Sequence, residues 1–524
     1  MKKYILVLAV TLLSNILLFS QNTNISNGYV FDGEPYLVVN PNNHNHIVIA
    51  WMSWKYNQKI VIKTKVSFDG GNTWSNENFI PHTQNDYTSA DPSLSFDESG
   101  NVFLSFIDYS GQEISPVTGG VYVCKSTDGG INWGSATEVI NTNAEPGRLP
   151  IDRPWINTGK VANSTENNIY ITTMNAKGAN PDYHPYFIKS NNSGNSFEQW
   201  QYLDTNGFLS GNYIPQPMPV HCVSSGGIFY SAYPSYETSQ SVYPQFILAK
   251  SLDGGVSFEY TPMFNSIHNI TDSLAKKGYV ITCNPQNDNH LVFVYPASTN
   301  NDIDVFFRES FDGGQTWSQE VRVNDDEISN GIMQDLIWAD FDESGNLIVS
   351  WRDRRNSGNS GYEQASEIWV SYRNADSLNF SGNFCISDEL VDYDTILALN
   401  GNDFMCTKLV NDTIYSVWGD TRTGKLNIWF AKTTVNGVVL SKKIISQNKL
   451  LNIYPNPVKK ILSITSCLTI KTIEIYSLSG EKLKEIDNVN KSNVNISLEN
   501  FPKTEYILKI NAGNEIIVKK IIKE

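Results

Sequence analysis

Cysteine is scarce: six residues in a chain of 524 exclude a disulfide-built scaffold. Cys124, Cys222, Cys283, Cys385, Cys406 and Cys467 show no CxxC or Cys/His spacing, so no zinc site is indicated. Five of them sit inside or beside apolar strand-like runs, where a buried thiol is the default; Cys385 and Cys406 are the pair to test for a bridge. Positive charge is short as well. Thirty-nine Lys and Arg face 54 Asp and Glu, a net charge of −15, which argues against nucleic acid or an anionic membrane as partner. Long apolar runs are absent after Phe19. The run from Tyr4 to Phe19 follows Met1-Lys2-Lys3, ends at Ser20-Gln21 and contains no charge. It is short for a bilayer span and reads as a secretory signal over residues 1–20, with no membrane span expected in the mature chain. No Cys follows it, so no lipoprotein site is present.

What the chain has instead is a repeat. Ser67-Phe-Asp69-Gly-Gly71-Asn-Thr73-Trp74 returns as Ser310-Phe-Asp312-Gly-Gly314-Gln-Thr316-Trp317, with looser copies around Asp128, Asn192 and Asp253. The third position recurs about every 60 residues, somewhat longer than the usual blade period of a β-propeller. Asp-Gly-Gly is turn chemistry: the carboxylate bonds backbone amides ahead of it and the glycines supply positive φ. The aromatic that follows is expected to pack under its own hairpin. These motifs resemble the Asp-box, or bacterial neuraminidase repeat, family, whose pattern is Ser-x-Asp-x-Gly-x-Thr-Trp on a β-propeller. Asp69, Asp128, Asp253 and Asp312 are the structural box carboxylates that the resemblance implies.

Residues 21–446 divide into seven units of four strands, each opening near Glu34, Asp91, Asp152, Gln216, Lys277, Asp335 or Asp403 and followed by a second strand such as Ile47-Val-Ile-Ala-Trp51 or Leu347-Ile-Val-Ser-Trp351. The expected fold is all-β, a seven-bladed propeller, with six blades plus an irregular insert as the alternative; radial closure lets so many short strands avoid an exposed edge. From residue 447 the texture changes. Asn452-Ile-Tyr454-Pro455-Asn456-Pro457 opens a strand-rich segment that includes Ile475-Tyr476-Ser-Leu-Ser-Gly480 and ends in Ile516-Ile-Val-Lys-Lys-Ile-Ile522. Residues 447–524 resemble the type A sorting domain of type IX secretion, except that Lys503-Thr504 stands where that family has a glycine. The resemblance implies a small β-sandwich, the type IX machinery as partner, and an extracellular or surface location after cleavage of signal and sorting domain. This tail has twelve Lys against eight acidic residues, so the acid excess belongs to the propeller.

A motif repeated in every blade cannot mark a single site, so function is sought on the opposite face, among the loops from strand two to three and from blade to blade. Six of the nine arginines fall there: Arg148, Arg153, Arg352, Arg354, Arg355 and Arg422. Guanidinium forks bind carboxylate and sulfate, which suits an acidic glycan; a blade-to-blade salt bridge explains the two Trp-x-Asp-x-Arg copies equally well. Arg153, Arg354, Arg355 and Arg422 are the candidate substrate ligands, with Tyr183, His184 and Tyr236 as stacking or proton-abstracting partners. Sialidases, which share the Asp boxes, use an arginine cluster, an Asp acid/base and a Tyr/Glu nucleophilic pair. That resemblance makes Asp91, Asp108, Tyr362 and Glu363 the catalytic candidates. The Phe/Tyr-Arg-Ile-Pro start of that family is missing, and Asp152-Arg153-Pro154-Trp155 in the third unit is the nearest string.

Three readings stay open: a secreted hydrolase of the sialidase type on an acidic saccharide, a non-catalytic propeller that binds glycan or protein, and a propeller polysaccharide lyase. No cofactor is implied; a structural calcium is left open.

Overall fold

The computed structural model describes residues 22–55, 59–112, 115–164, 167–204, 214, 216–235, 245–265, 278–395, 401–437, 451–477, 481–512 and 515–524. The expected signal segment lies outside the described residues. Two compact units are present, Met1–Ser441 and Lys442–Glu524.

Apolar runs of five to eight residues punctuated by Asp-Gly and Asn-Gly turns form four-stranded antiparallel sheets, and the first unit holds seven of them. Their innermost strands are Asp32–Asn40, Thr88–Phe96, Asp152–Lys160, Val220–Val223, Val280–Cys283, Gln334–Phe341 and Cys406–Val410, which define blades 1 to 7. Each innermost strand touches the next and the seventh touches the first, so the ring is a closed seven-bladed β-propeller. Second strands are buried on both faces, as in Val102–Gln112, because neighbouring blades cover them. Trp51, Trp351 and Trp418 are fully buried there, and each indole N–H donates to a carboxylate, Asp32, Asp353 and Asp420 respectively, at 2.7–3.0 Å.

The last blade differs from the sequence expectation of four consecutive strands. Its outermost strand is Thr23–Asn24, from the other end of the unit, paired with Asn427–Thr434. Ile25, 2% exposed, continues the contact by donating its N–H to the Ile428 carbonyl at 2.8 Å. A two-residue strand carries no periodicity, which is why the pattern of apolar runs does not reveal it.

The boxes cap the ends of third strands. In the first, Asp69 Oδ1 accepts the Thr73 N–H at 2.8 Å, Oδ2 accepts the Thr73 hydroxyl at 2.6 Å, and Ser67 Oγ accepts the Gly71 N–H at 2.8 Å. The copies at Asp128, Asp253 and Asp312 repeat this scheme. At Asp312 the Thr316 hydroxyl and amide bring the carboxyl down to about 2. The box aromatics do not pack under their own hairpins. Trp74 meets Phe430 of blade 7 edge-on at 5.2 Å, Trp133 donates to Thr64 of blade 1, and Phe258 meets Phe187 of blade 3. Each box therefore fastens its own blade to the one before it. A Cβ at Gly255 or Gly314 would stand 2.2 Å or 2.0 Å from the preceding blade's Phe187 or Leu248, so the second glycine is required by that approach as well as by its positive φ.

Cys385 lies on the outermost strand of blade 6 and Cys406 on the innermost strand of blade 7. Both are free thiols, each donating to a backbone carbonyl of its own surroundings, Ser387 and Leu37; opposite radial positions leave the bridge unmade.

In the second unit the 16-residue strand Ile461–Tyr476 organises a six-stranded sheet. Its first half pairs with Leu451–Tyr454 and Lys491–Ser497, its second half with Lys482–Ile486 and Glu505–Ala512. Its core includes Leu462, Ile464, Ile473, Leu508 and Ile510. No helix among the described residues is long and apolar enough to cross a membrane.

Ring closure through Thr23–Asn24 predicts that Ile25→Ala costs about 2–5 kcal/mol as a core truncation does. Urea unfolding of the full chain checks this.

Candidate active site

The innermost strands of blades 1, 2, 3 and 6 share an irregularity. Register breaks between Gly33 and Tyr36, Ala90 and Ser93, Asp152 and Trp155, and Asp335 and Trp338. Within each break one non-glycine residue has positive φ: Glu34 at 52°, Asp91 at 53°, Arg153 at 49° and Leu336 at 55°. Pro35, Pro92 and Pro154 follow three of them and have no N–H to lose from the ladder. Such backbone is strained.

Glu34, Asp91 and Arg153 all line one cavity at the mouth of the central channel, together with Asp152, Gln216 and Asp403. Its volume is about 30 Å³. Arg153 Nη2 pairs with Asp403 Oδ2 at 2.8 Å, and its backbone N–H donates to Asp91 Oδ2 at 3.0 Å. Gln216 Nε2 donates to Asp152 Oδ2 at 2.8 Å. The carboxyls of Glu34 and Asp152 both lie within hydrogen-bonding reach of that of Asp91. Carboxyls this close cannot all ionise beside one guanidinium. Burial, then the Asp91 charge, pushes Asp152 up to about 8. Burial and the charges of Asp91 and Asp403 push Glu34 well above the usual carboxylate range.

Beneath it the channel is plugged by aromatics of blades 1, 3, 6 and 7. Trp155 stands 5.9 Å from Tyr36, 6.2 Å from Trp338 and 5.1 Å from Phe404.

The other sequence candidates lie apart from this cavity. Asp108 is fully buried and accepts from His82, from the Thr83 N–H and hydroxyl, and from Ser89, at 2.7–3.0 Å; it ties the link between blades 1 and 2. Asp335 is gripped by Arg352 at 2.5 Å and Arg354 at 3.2 Å. The two guanidinium groups outweigh its burial and hold its carboxyl far below the usual range. Arg354 lies over the Tyr362 ring at 4.3 Å, and Tyr362 is pushed up by burial and by Asp335. Glu363 beside it is exposed. Arg355 and Arg422 occupy equivalent places in blades 6 and 7. Each doubly bonds the Asp two residues before it, Asp353 or Asp420, and covers an indole, Trp369 or Trp429, at 4.1 Å. Each also reaches a carboxylate of the preceding link, Asp325 or Asp388. In the third blade His184 stacks on Tyr202 at 4.0 Å and is pushed down by burial; neighbouring Tyr183 is half-buried. Tyr236 lies outside the described residues. The structure thus brings Asp91 and Arg153 together and adds Glu34, Asp152 and Asp403. Those three stand at strand starts in the sequence; a Glu-Pro and an Asp-Arg-Pro context signal Glu34 and Asp152, and Asp403 has no such mark. Among the described residues no three His, Cys, Asp or Glu side chains are disposed to hold a metal ion.

Residues 452–524 match the family described as the secretion system C-terminal sorting domain, and this marks a protein that is secreted or displayed at the cell surface. No curated protein matches the chain in sequence. Among solved structures the chain is similar to a protein of unknown function from Dyadobacter fermentans, with 13% identity, 78% of this chain and 98% of that one covered, and a TM-score of 0.42. A Trypanosoma rangeli sialidase in complex with sialic acid shares 10% identity over 96% of this chain and 88% of its own, at a TM-score of 0.41. A Penicillium chrysogenum alpha-L-arabinanase complexed with arabinobiose shares 14% over 67% and 96%, at 0.39.

Two expectations follow. Asp152 is raised in the fold from about 3.9 in the unfolded chain, so its contribution to stability is complete below about pH 4 and is lost as pH rises through about 8. Thermal melts of the full chain should show Tm falling across that window, with the fall flattened in Asp152→Asn. Arg354→Ala, by leaving Asp335 with one guanidinium in a buried setting, should cost about 3 kcal/mol in urea unfolding.

Proposed function

We propose that the propeller is a secreted glycan-acting protein that hydrolyses a glycosidic bond at the mouth of its central channel, with Asp152 as proton donor. The observation that carries this reading is the convergence of three strained strand starts on one solvent-reaching cluster whose Asp152 carboxyl stands at about 8. A carboxyl still protonated at neutral pH, hydrogen-bonded by Gln216 and only partly exposed, is the group needed to protonate a leaving oxygen. Arg153 and Asp403 fix the position of Asp91, and through it of Asp152.

The substrate that suits this site is an uncharged saccharide. An acidic one calls for free guanidinium groups, and Arg354, Arg355 and Arg422 are each committed to carboxylates. Glycan binding without cleavage is the second reading, favoured by the crowding of Glu34, Asp91 and Asp152: two carboxyls flanking a sugar stand roughly 5–10 Å apart in most glycosidases, and these are within hydrogen-bonding reach of one another.

Incubating the full chain with neutral, uronate-containing and sulfated glycans, while following reducing ends and ultraviolet absorbance together, separates the readings. Hydrolysis gives reducing ends alone, lost at least a hundredfold in Asp152→Asn, with kcat/KM falling as pH rises through about 8. Unsaturated product identifies a lyase. Retention on a glycan column with neither signal identifies a binder.

A further inference from the structure

At the other end of the channel, past the aromatic plug, lies a cavity of about 280 Å³, much roomier than the one at the carboxyl cluster. It opens on the face that carries the Asp-box turns, because its walls come from the far ends of the innermost strands: Leu94 and Phe96 of blade 2, Phe341 of blade 6, Val410 of blade 7. Its size is at the lower end of small-ligand pockets, about 300–1,000 Å³. Tyr36 belongs both to this wall and to the plug.

The lining mixes apolar residues with polar ones, Asn40, Ser95 and Asn157 among them, and carries its charge along one wall. Lys408 Nζ donates to Asp340 Oδ1 at 2.8 Å, and Asp340 Oδ2 accepts the Leu409 N–H at 3.0 Å. An ammonium and a carboxylate therefore stand side by side on the wall, with a second mixed pair, His44 and Glu343 at 3.4 Å, beside them. An anion entering here meets Asp340 and Glu343, and a cation meets Lys408. A neutral molecule with adjacent hydroxyls meets a donor and an acceptor at the spacing of a vicinal diol, and aromatic walls against which its C–H face packs.

We propose that the cavity on the Asp-box face is a binding site for the terminal residue of a neutral saccharide, separate from the carboxyl cluster. Vicinal hydroxyls bridge Lys408 and Asp340, while the ring lies among Leu94, Phe96 and Phe341. The site is built from blades 1, 2, 3, 6 and 7, so it exists only in the closed ring.

The test is calorimetric titration of the full chain with methyl glycosides of glucose, galactose, mannose, rhamnose and N-acetylglucosamine, with glucuronate and glucosamine as charged comparators. At least one neutral glycoside should bind saturably with a Kd on the order of 1 mM, and Val410→Trp, which fills the cavity, should weaken it tenfold or more. Leu94→Phe fills the same space from blade 2 and serves if the first variant does not fold. Asp152→Asn should leave this binding unchanged, so loss of hydrolysis in that variant and loss of this site are separately visible. The proposal is overturned if no neutral glycoside saturates, if a charged comparator binds more tightly, or if a folded, cavity-filled variant binds as the parent does.

Discussion

Seven twisted sheets around one axis must close, and closure here depends on a strand of two residues. Thr23 and Asn24 supply the outer edge of a blade whose other three strands come from the far end of the unit. Through that pairing the innermost strands meet as a ring, and through the ring residues distant in sequence come to share one channel. Arg153 and Asp403, 250 positions apart, form an ion pair only because blades 3 and 7 face the same axis. The boxes act on the same constraint from outside, since each fastens its blade to the one before, at Trp74 on Phe430 or Gly314 against Leu248.

The channel is divided along its length by what each innermost strand presents. Blade 1 sets Glu34 at one mouth, Tyr36 in the plug and Val38 in the opposite cavity; blade 3 does so with Arg153, Trp155 and Asn157. One strand thus serves a charged mouth, an aromatic barrier and a mixed cavity in turn. Burial does the electrostatic work at the mouth: with little water to screen them, neighbouring carboxyls keep protons that they would lose in solution.

The repeat of Asp-Gly-Gly boxes and the spacing of apolar runs made the blade number readable, because both follow from local turn chemistry and strand periodicity. The tail was readable from its own motifs. Around the site, legibility was partial. Arg153 stood out by residue type and Asp91 by the sialidase resemblance, whereas Asp152 and Glu34 looked like strand punctuation, and nothing local distinguishes a proline-adjacent carboxylate that is buried beside another. The arginines misdirect for a related reason. A guanidinium near a tryptophan and an aspartate reads as a free fork in one dimension, and in three it is saturated: Arg355 and Arg422 lie on indoles with carboxylates on either side.

The closing strand also gives the molecule a schedule. Residues 23 and 24 are among the first of the unit to be made, yet their partner, Asn427–Thr434, is among the last. Contacts of such long separation form late in folding. Until they form, blade 7 has no outer edge and Asp403 has no fixed place opposite Arg153, so the carboxyl cluster is incomplete. A chain stopped or cut anywhere before residue 434 therefore lacks the closed ring, and a protein destined for export assembles its carboxyl cluster only when the whole ring has been delivered.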